Sequence, residues 1–343
     1  MKIIKKIALA LPFTLAIAIT ITLTSCTKKD EITKIKVAEV THSVFYAPQY
    51  VAINEGFFEE EGLKVELMSA QGADKTMAAL VSGESQIGLM GPEASIYIYN
   101  KKSKDYAINF AQVTKRDGSF LVGREDKKDF KLEELKGKEV IGGRKGGMPE
   151  MTLEYVIKDK GLKVGENTKE GEVNVRTDVQ FNVMSGVFIA GEGDYVTLFE
   201  PAATAVEKEN KGYILASIGE LSGEIPYTAY CVTNNYMEKN PEVIQKFTNA
   251  IYKGQLYVKN HSEEDIAKSI APFFTDISMD DLIKVVKRYK SVDAWCEDPI
   301  LKEESLNKLM DVMDTAGELD KRAPYDKIVN TKYAKESIKN IKK

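Results

Sequence analysis

The chain has 343 residues, 48 Lys and Arg against 52 Asp and Glu, and a formal net charge of −4. It carries no basic stripe, which argues against nucleic acid as a partner. With 3 Cys and 2 His, it has little material for a metal cluster or a catalytic triad.

The first element is a leader. Lys2, Lys5 and Lys6 form a basic start, residues 7–22 are uncharged and mostly apolar, and Leu23-Thr24-Ser25-Cys26 precede the polar Thr27-Lys28-Lys29-Asp30. A basic start, an apolar core and small residues before a cut site describe a secretory signal peptide. The apolar run falls short of the ~20 residues that a spanning helix needs. Leu-Thr-Ser-Cys resembles a bacterial lipobox, which implies cleavage before Cys26 and acylation of its thiol. Residues 1–25 are thus expected to be a signal peptide, and 26–34 a linker from a lipid anchor. Without its three leader lysines the mature chain is near a charge of about −7. The expected location is the extracytoplasmic side of the cell membrane.

Apolar runs then alternate with helical patterns, the mark of an α/β protein with largely parallel sheets. Strands are expected at 35–40, 63–68 and 86–90. Between them a helix is expected over 46–61, stopped by Gly62, and another over 73–82, closed by Gly83. Pro92 opens a further helix. The pattern resumes with strands at 120–123 and 138–142, and a helix from Pro149 stopped by Gly161. An extended 172–177, a helix over 182–190, and strands at 195–199, 212–217 and 228–233 follow. From Pro241 the chain reads as helical. Cys231 and Cys296 are far apart in sequence, and spacing alone does not say whether they meet.

Four segments in order resemble the binding proteins of the nitrate, sulfonate and thiamine-precursor importers. They are FYAPQYVAINEGFFEEEGLKVEL at 45–67, AALVSGESQIGLMGPEA at 78–94, LEELKGKEVIGGRKGG at 132–147, and TAYCVTNNYMEKNPEVIQKFTNAIYKG at 228–254. The resemblance implies a type II periplasmic-binding-protein-like fold: a bilobal "Venus flytrap" of two mixed, mostly parallel sheets with flanking helices. It implies lobe one at 35–124 plus 226–343, lobe two at 125–225, and crossings near Gly123 and Pro226. It also implies a monomer that delivers a small-molecule solute to the permease of an ABC importer, with no cofactor and no metal.

Ligands of parallel α/β sheets bind beyond the carboxyl ends of the strands. That rule nominates Ser43, Phe45 and Tyr46 after the first strand, Gly72 after the second, and Pro92 and Glu93 after the third. In the second lobe it nominates Gly146, Gly147 and Glu200, and on the return Tyr227 and Tyr230. Aromatic faces stack on a planar ligand, and buried carboxylates need a donor. An aminopyrimidine supplies both a flat ring and an amine. The Phe199-Glu200-Pro201 segment resembles the position where pyrimidine-binding members place a glutamate. A sulfonate or nitrate would instead use a helix N-terminus, which Gly146-Gly147 offers with Arg144 or Lys145. A larger flavin-like ring also fits the chemistry.

An enzyme is the rival class. The pyrimidine synthase of thiamine biosynthesis resembles this architecture, but it implies a cysteine-rich iron site and lysine-bound pyridoxal phosphate. Two mature cysteines and no Cys cluster do not match that. No HExxH or Gly-x-Ser-x-Gly motif is present, so no catalytic residue is assigned. A ligand-free adhesin or sensor is the third class.

Overall fold

The computed structural model describes residues 32–341. The expected signal peptide and the expected acylation of Cys26 therefore lie outside the described residues. Ten strands are present among those residues: β1 (Thr33–Glu39), β2 (Leu63–Ser69), β3 (Ile87–Met90), β4 (Ala107–Thr114), β5 (Ser119–Gly123), β6 (Glu139–Ile141), β7 (Asn174–Arg176), β8 (Tyr195–Phe199), β9 (Tyr213–Ser217) and β10 (Thr228–Thr233). They form two five-stranded sheets, ordered β2-β1-β3-β10-β4 and β7-β6-β8-β5-β9.

The pairings explain how the sheets are tied together. β1 is parallel to β2 and β3, and β6 is parallel to β7 and β8. β10 is antiparallel to both neighbours, and so is β5. These two strands follow the two passages of the chain between sheets, so each sheet is more evenly mixed than the sequence suggests. β5 belongs to the second sheet, not to the first, where the sequence puts residues 120–123. The first passage is therefore 115–118, ahead of the expected boundary at 124. The second is 223–227. The two run side by side: Ile225 N–H donates to the Lys115 carbonyl at 2.9 Å and Tyr227 N–H to the Thr114 carbonyl at 3.1 Å. Gly219 lies against this track, where a Cβ would stand 2.2 Å from the Asp117 carbonyl oxygen.

Local sequence sets the helices. The expected helix over 46–61 is two pieces, Ala47–Asn54 and Phe57–Glu60, because Gly56 takes a left-handed φ of 76° between them. The twenty-residue helix Pro241–Asn260 buries Ile244, Phe247 and Ile251 on the first sheet's side. It approaches the helix at 47–54 closely, since a Cβ on Gly254 would stand 2.2 Å from the Pro48 carbonyl. The strand β4 is absent from the sequence reading, yet all eight of its residues are buried. Cys231 and Cys296 are buried free thiols. No helix among the described residues is long and apolar enough to cross a membrane.

Candidate functional site

The carboxyl ends of β1, β2 and β3 face those of β6, β7 and β8 across a cleft of about 280 Å3. Ser43, Phe45, Tyr46, Gly72, Glu93, Gly147 and Tyr227 line it. Pro92, Gly146, Glu200 and Tyr230 do not.

The loop after β1 is fixed from both sides. Ser43 caps the short turn Val44–Tyr46, its Oγ accepting from Phe45 N–H at 3.2 Å. The same hydroxyl donates to the Glu200 carbonyl at 3.0 Å, which ties this loop to the one after β8. Phe45 sits in a ring cluster, its centroid 5.5 Å from Phe199, 5.7 Å from Tyr227 and 5.2 Å from Tyr289. Its carbonyl accepts from Trp295 Nε1 at 2.9 Å. Behind the loop, the buried carboxylate of Glu39 accepts from Gln49, Tyr50 and His42. His42 Nε2 faces the Phe273 carbonyl at 2.8 Å. With acceptors on both ring nitrogens, His42 titrates above its ordinary value, chiefly through the Glu39 bond.

Glu93 begins the helix Glu93–Asn100 and is only 2% exposed. Its carboxylate folds back over Gly91, where a Cβ would stand 1.9 Å from Oε2. That oxygen has no hydrogen-bond partner. Burial pushes the carboxyl up to about 7, partly offset by the helix's own N–H groups and by Arg144. Tyr46 and Tyr227 nearby are pushed up as well, again by burial first.

The remaining nominated residues point elsewhere, and each has a physical reason. Glu200, ahead of a cis Pro201, turns its carboxylate into the helix Ala202–Lys208. There it accepts from Thr204 N–H and Thr204 Oγ, both at 2.9 Å, and pairs with Arg288. Its backbone N–H donates to Tyr289 Oη at 2.9 Å. Three bonds thus hold the carboxylate inside the protein, and its side chain is fully buried away from the cleft. Tyr230 lies in the core of the first sheet, donating to Gln49 Oε1 at 2.9 Å beside Phe247 and Phe110. Gly146 N–H donates to Glu150 Oε2 at 3.0 Å, and its carbonyl accepts from Tyr97 Oη at 3.0 Å. Pro92 only precedes the helix that begins at Glu93.

Two cleft elements escape the sequence reading. One is the segment 177–182 after β7, which brings Phe181 to 5.4 Å from Phe199. The strand-end rule nominates this segment once β7 is read as a strand. The other is Asp74, in the first turn of the helix Ala73–Ser82, which faces Arg144 at 3.7 Å across the cleft.

The NMT1/THI5-like family profile matches residues 44–265. YtlA of Bacillus subtilis (strain 168), named provisionally as a binding protein, is 45% identical over 312 residues, covering 91% of this chain and 92% of YtlA. The chain belongs to the NMT1/THI5-like family. The 4-amino-5-hydroxymethyl-2-methylpyrimidine phosphate synthase of Aspergillus parasiticus is 24% identical over 226 residues, 62% of this chain and 63% of that one. Among solved structures, the Candida albicans CA3427 product, described as having the generic periplasmic binding protein fold, superposes with a TM-score of 0.66. It is 14% identical and covers 87% of this chain and 96% of its own. The alkanesulfonate-binding protein SsuA of Xanthomonas axonopodis pv. citri bound to MOPS superposes with a TM-score of 0.68 at 14% identity, covering 88% and 99%. The fold is that of the periplasmic binding proteins.

Proposed function

We propose that this protein is the extracytoplasmic solute-binding component of an ABC importer, tethered through Cys26, and that its cleft captures a small planar heteroaromatic such as a thiamine-precursor pyrimidine. The observation that carries this reading is the cleft's wall. Phe45, Phe199, Tyr227 and Phe181 surround a space that also holds a buried carboxylate with an unused acceptor. Rings of this kind stack on a flat solute, and the carboxylate wants an N–H donor. The two lobes close on the solute by a hinge motion at 115–118 and 223–227, the usual motion of bilobal binding proteins. A permease then receives it. The protein is read as a binder rather than an enzyme, in keeping with the binding proteins it resembles.

The sulfonate or nitrate reading rests on Gly147 and Met148 at the start of the helix Met148–Asp159, beside Arg144. A helix N-terminus does attract anions. Here, however, Glu150 already occupies the Gly146 N–H, and Arg144 faces Asp74. An anion would also approach Glu93. The pyrimidine reading therefore suits this wall better.

Mass spectrometry of small molecules released on denaturing the purified protein tests the reading. A heteroaromatic amine is expected. Release of an alkanesulfonate in its place would overturn it.

A further inference from the structure

The first lobe meets the second at a place apart from the two passages. After Pro299 the chain runs out through the helix Glu303–Thr315 and returns at 328–330. Both ends of this excursion are tied to β4. Gln112 N–H donates to the Pro299 carbonyl at 2.9 Å, and Asn330 N–H donates to the Asn109 carbonyl at 2.9 Å. Between those ties, the helix Glu303–Thr315 packs on the helix Met148–Asp159 of the second lobe and on Glu93–Asn100 of the first. Its buried Leu309, Met310 and Met313 share one apolar core with Ile96, Met148 and Met151. The excursion is a strap, anchored in one lobe and seated on the other.

Polar contacts hold the seat. Lys158 Nζ donates to the Thr315 carbonyl at 2.8 Å, in the strap helix's last turn, where orphan carbonyls and the helix dipole favour a cation. Lys308 donates to the Tyr155 hydroxyl. Glu150 is buried in this seam, only 2% exposed. Gly146 stands between it and the strap: the Gly146 N–H donates to Glu150 Oε2 at 3.0 Å, and a Cβ there would stand 3.0 Å from Glu318 Oε2. One turn along the helix, the Glu154 carboxyl bonds to that of Glu150. A bond between two carboxyls needs a proton on one of them. Burial first, then the charge of Glu154, push Glu150 up to about 8; Glu318 adds to this and the Gly146 N–H opposes it. The other charged or titratable groups around the seam are Lys158 on the same helix, Arg144 and Lys145 ahead of it, Tyr97 on Glu93–Asn100, and Lys308 on the strap.

We propose that the strap is an interlobe latch held shut by a proton on Glu150: it stays with the first lobe when the lobes part, and loss of that proton loosens it from the second. This rests on the solute-binding reading above, in which the lobes move about 115–118 and 223–227. Parting admits water to Glu150, and its proton then leaves at an ordinary carboxylate pH. The latched state therefore binds more protons between 4.5 and about 8, so opening becomes easier as pH rises through that window. Once Glu150 is ionised, it faces Glu154 and Glu318 as a like charge, with no proton left to bridge the pair.

Small-angle X-ray scattering of the protein without solute, at pH 5 and pH 9, tests the latch. The native protein should be compact at pH 5 and expand at pH 9. Glu150→Gln, whose amide donates to Glu154 without a titrating proton, should lose at least half of that expansion. Glu154→Gln should do the same, since its amide can donate to an ionised Glu150, and it serves if Glu150→Gln fails to fold. Lys158→Met combined with Lys308→Met removes the strap's polar hold and should be expanded already at pH 5. A native protein that does not expand, a folded Glu150→Gln or Glu154→Gln protein that expands as far as the native one, or a double variant as compact as the native protein at pH 5 would overturn the latch. With no solute present, that failure leaves the pyrimidine reading standing, whereas a pyrimidine that fails to bind leaves the latch standing.

Discussion

The Ser43 hydroxyl donates to the backbone carbonyl of Glu200 at 3.0 Å and thereby joins a loop of the first sheet to a loop of the second. The bond is buried beside the first passage between the sheets, and Tyr289 reinforces it by accepting from Glu200 N–H and donating to the Gly118 carbonyl at 3.2 Å. The closure proposed above would thus have a polar link between the two sheets as well as aromatic surface.

Ser43→Ala removes that bond and the cap on Phe45 N–H together. A neutral hydrogen bond contributes about 0.5–1.5 kcal/mol net, so solute affinity should fall roughly two- to tenfold. Titration calorimetry reads this directly. Unchanged affinity would mean that the lobes close without help from this contact.

Arg288→Ala tests the role the structure gives Glu200. Removing one partner of a buried ion pair costs about 3–5 kcal/mol. The Arg288 side chain is 19% exposed, so the loss should fall at the low end of that range. The melting temperature should drop by several degrees, with solute affinity of the folded protein changed less than threefold. A large affinity loss with no change in melting temperature would return Glu200 to the ligand.

Much of the fold is legible because its signals are local. Gly83 closes a helix where it should, Pro92 stands just ahead of another, the strand at 63–68 alternates apolar and charged residues, and the one at 195–199 is short and mostly apolar. β4 escapes because Asn109, Gln112 and Thr114 interrupt its apolar run. All three are buried, and their partners are distant or hidden: Asn109 donates to the Ile328 carbonyl, and Thr114 meets Thr228 at 2.6 Å. β5 is visible as a strand, but which sheet it joins depends on pairing with β8 and β9, each more than 70 residues on. In the site, the strand-end rule finds the loops that carry Ser43, Phe45 and Glu93. It cannot tell which way a carboxylate on such a loop turns. Glu200 turns inward because Arg288, 88 residues later, is there to meet it.

Glu93 predicts a pH dependence. Its carboxyl is pushed up to about 7 from an ordinary 4.5. Between those values the unfolded chain has released this proton while the folded protein keeps it. The folded state binds more protons there, so the solute-free protein loses stability as pH rises through the window. Glu93→Gln abolishes the term. Its melting curve should coincide with the native one near pH 4 and lie above it at pH 7.5. Asp117, also pushed up to about 7 by burial, remains in both proteins, so the difference between the curves isolates Glu93. A native protein that stays the more stable at pH 7.5 would show that Glu93 has a donor inside the fold.

Gly118→Ala should cripple the aromatic wall. A Cβ there would stand 2.5 Å from the Phe45 ring, in the first passage between the sheets. The ring must shift, and Trp295, the single tryptophan, is bonded to the Phe45 carbonyl and will register the change. Its emission should move, and solute affinity should fall at least tenfold. Unaltered emission and affinity would mean that the ring has room not evident in the packing.

Capture of a flat, amine-bearing ring is tested by titration calorimetry of the protein with 4-amino-5-hydroxymethyl-2-methylpyrimidine, set against taurine and nitrate. A roughly ten-atom solute held at micromolar strength requires about −8.2 kcal/mol, or near −0.8 kcal/mol per atom, which lies inside the efficiency ceiling for small ligands. The pyrimidine is expected to bind one-to-one at micromolar or tighter affinity, with no heat from either anion. Binding of taurine or nitrate by a protein that ignores the pyrimidine would contradict it.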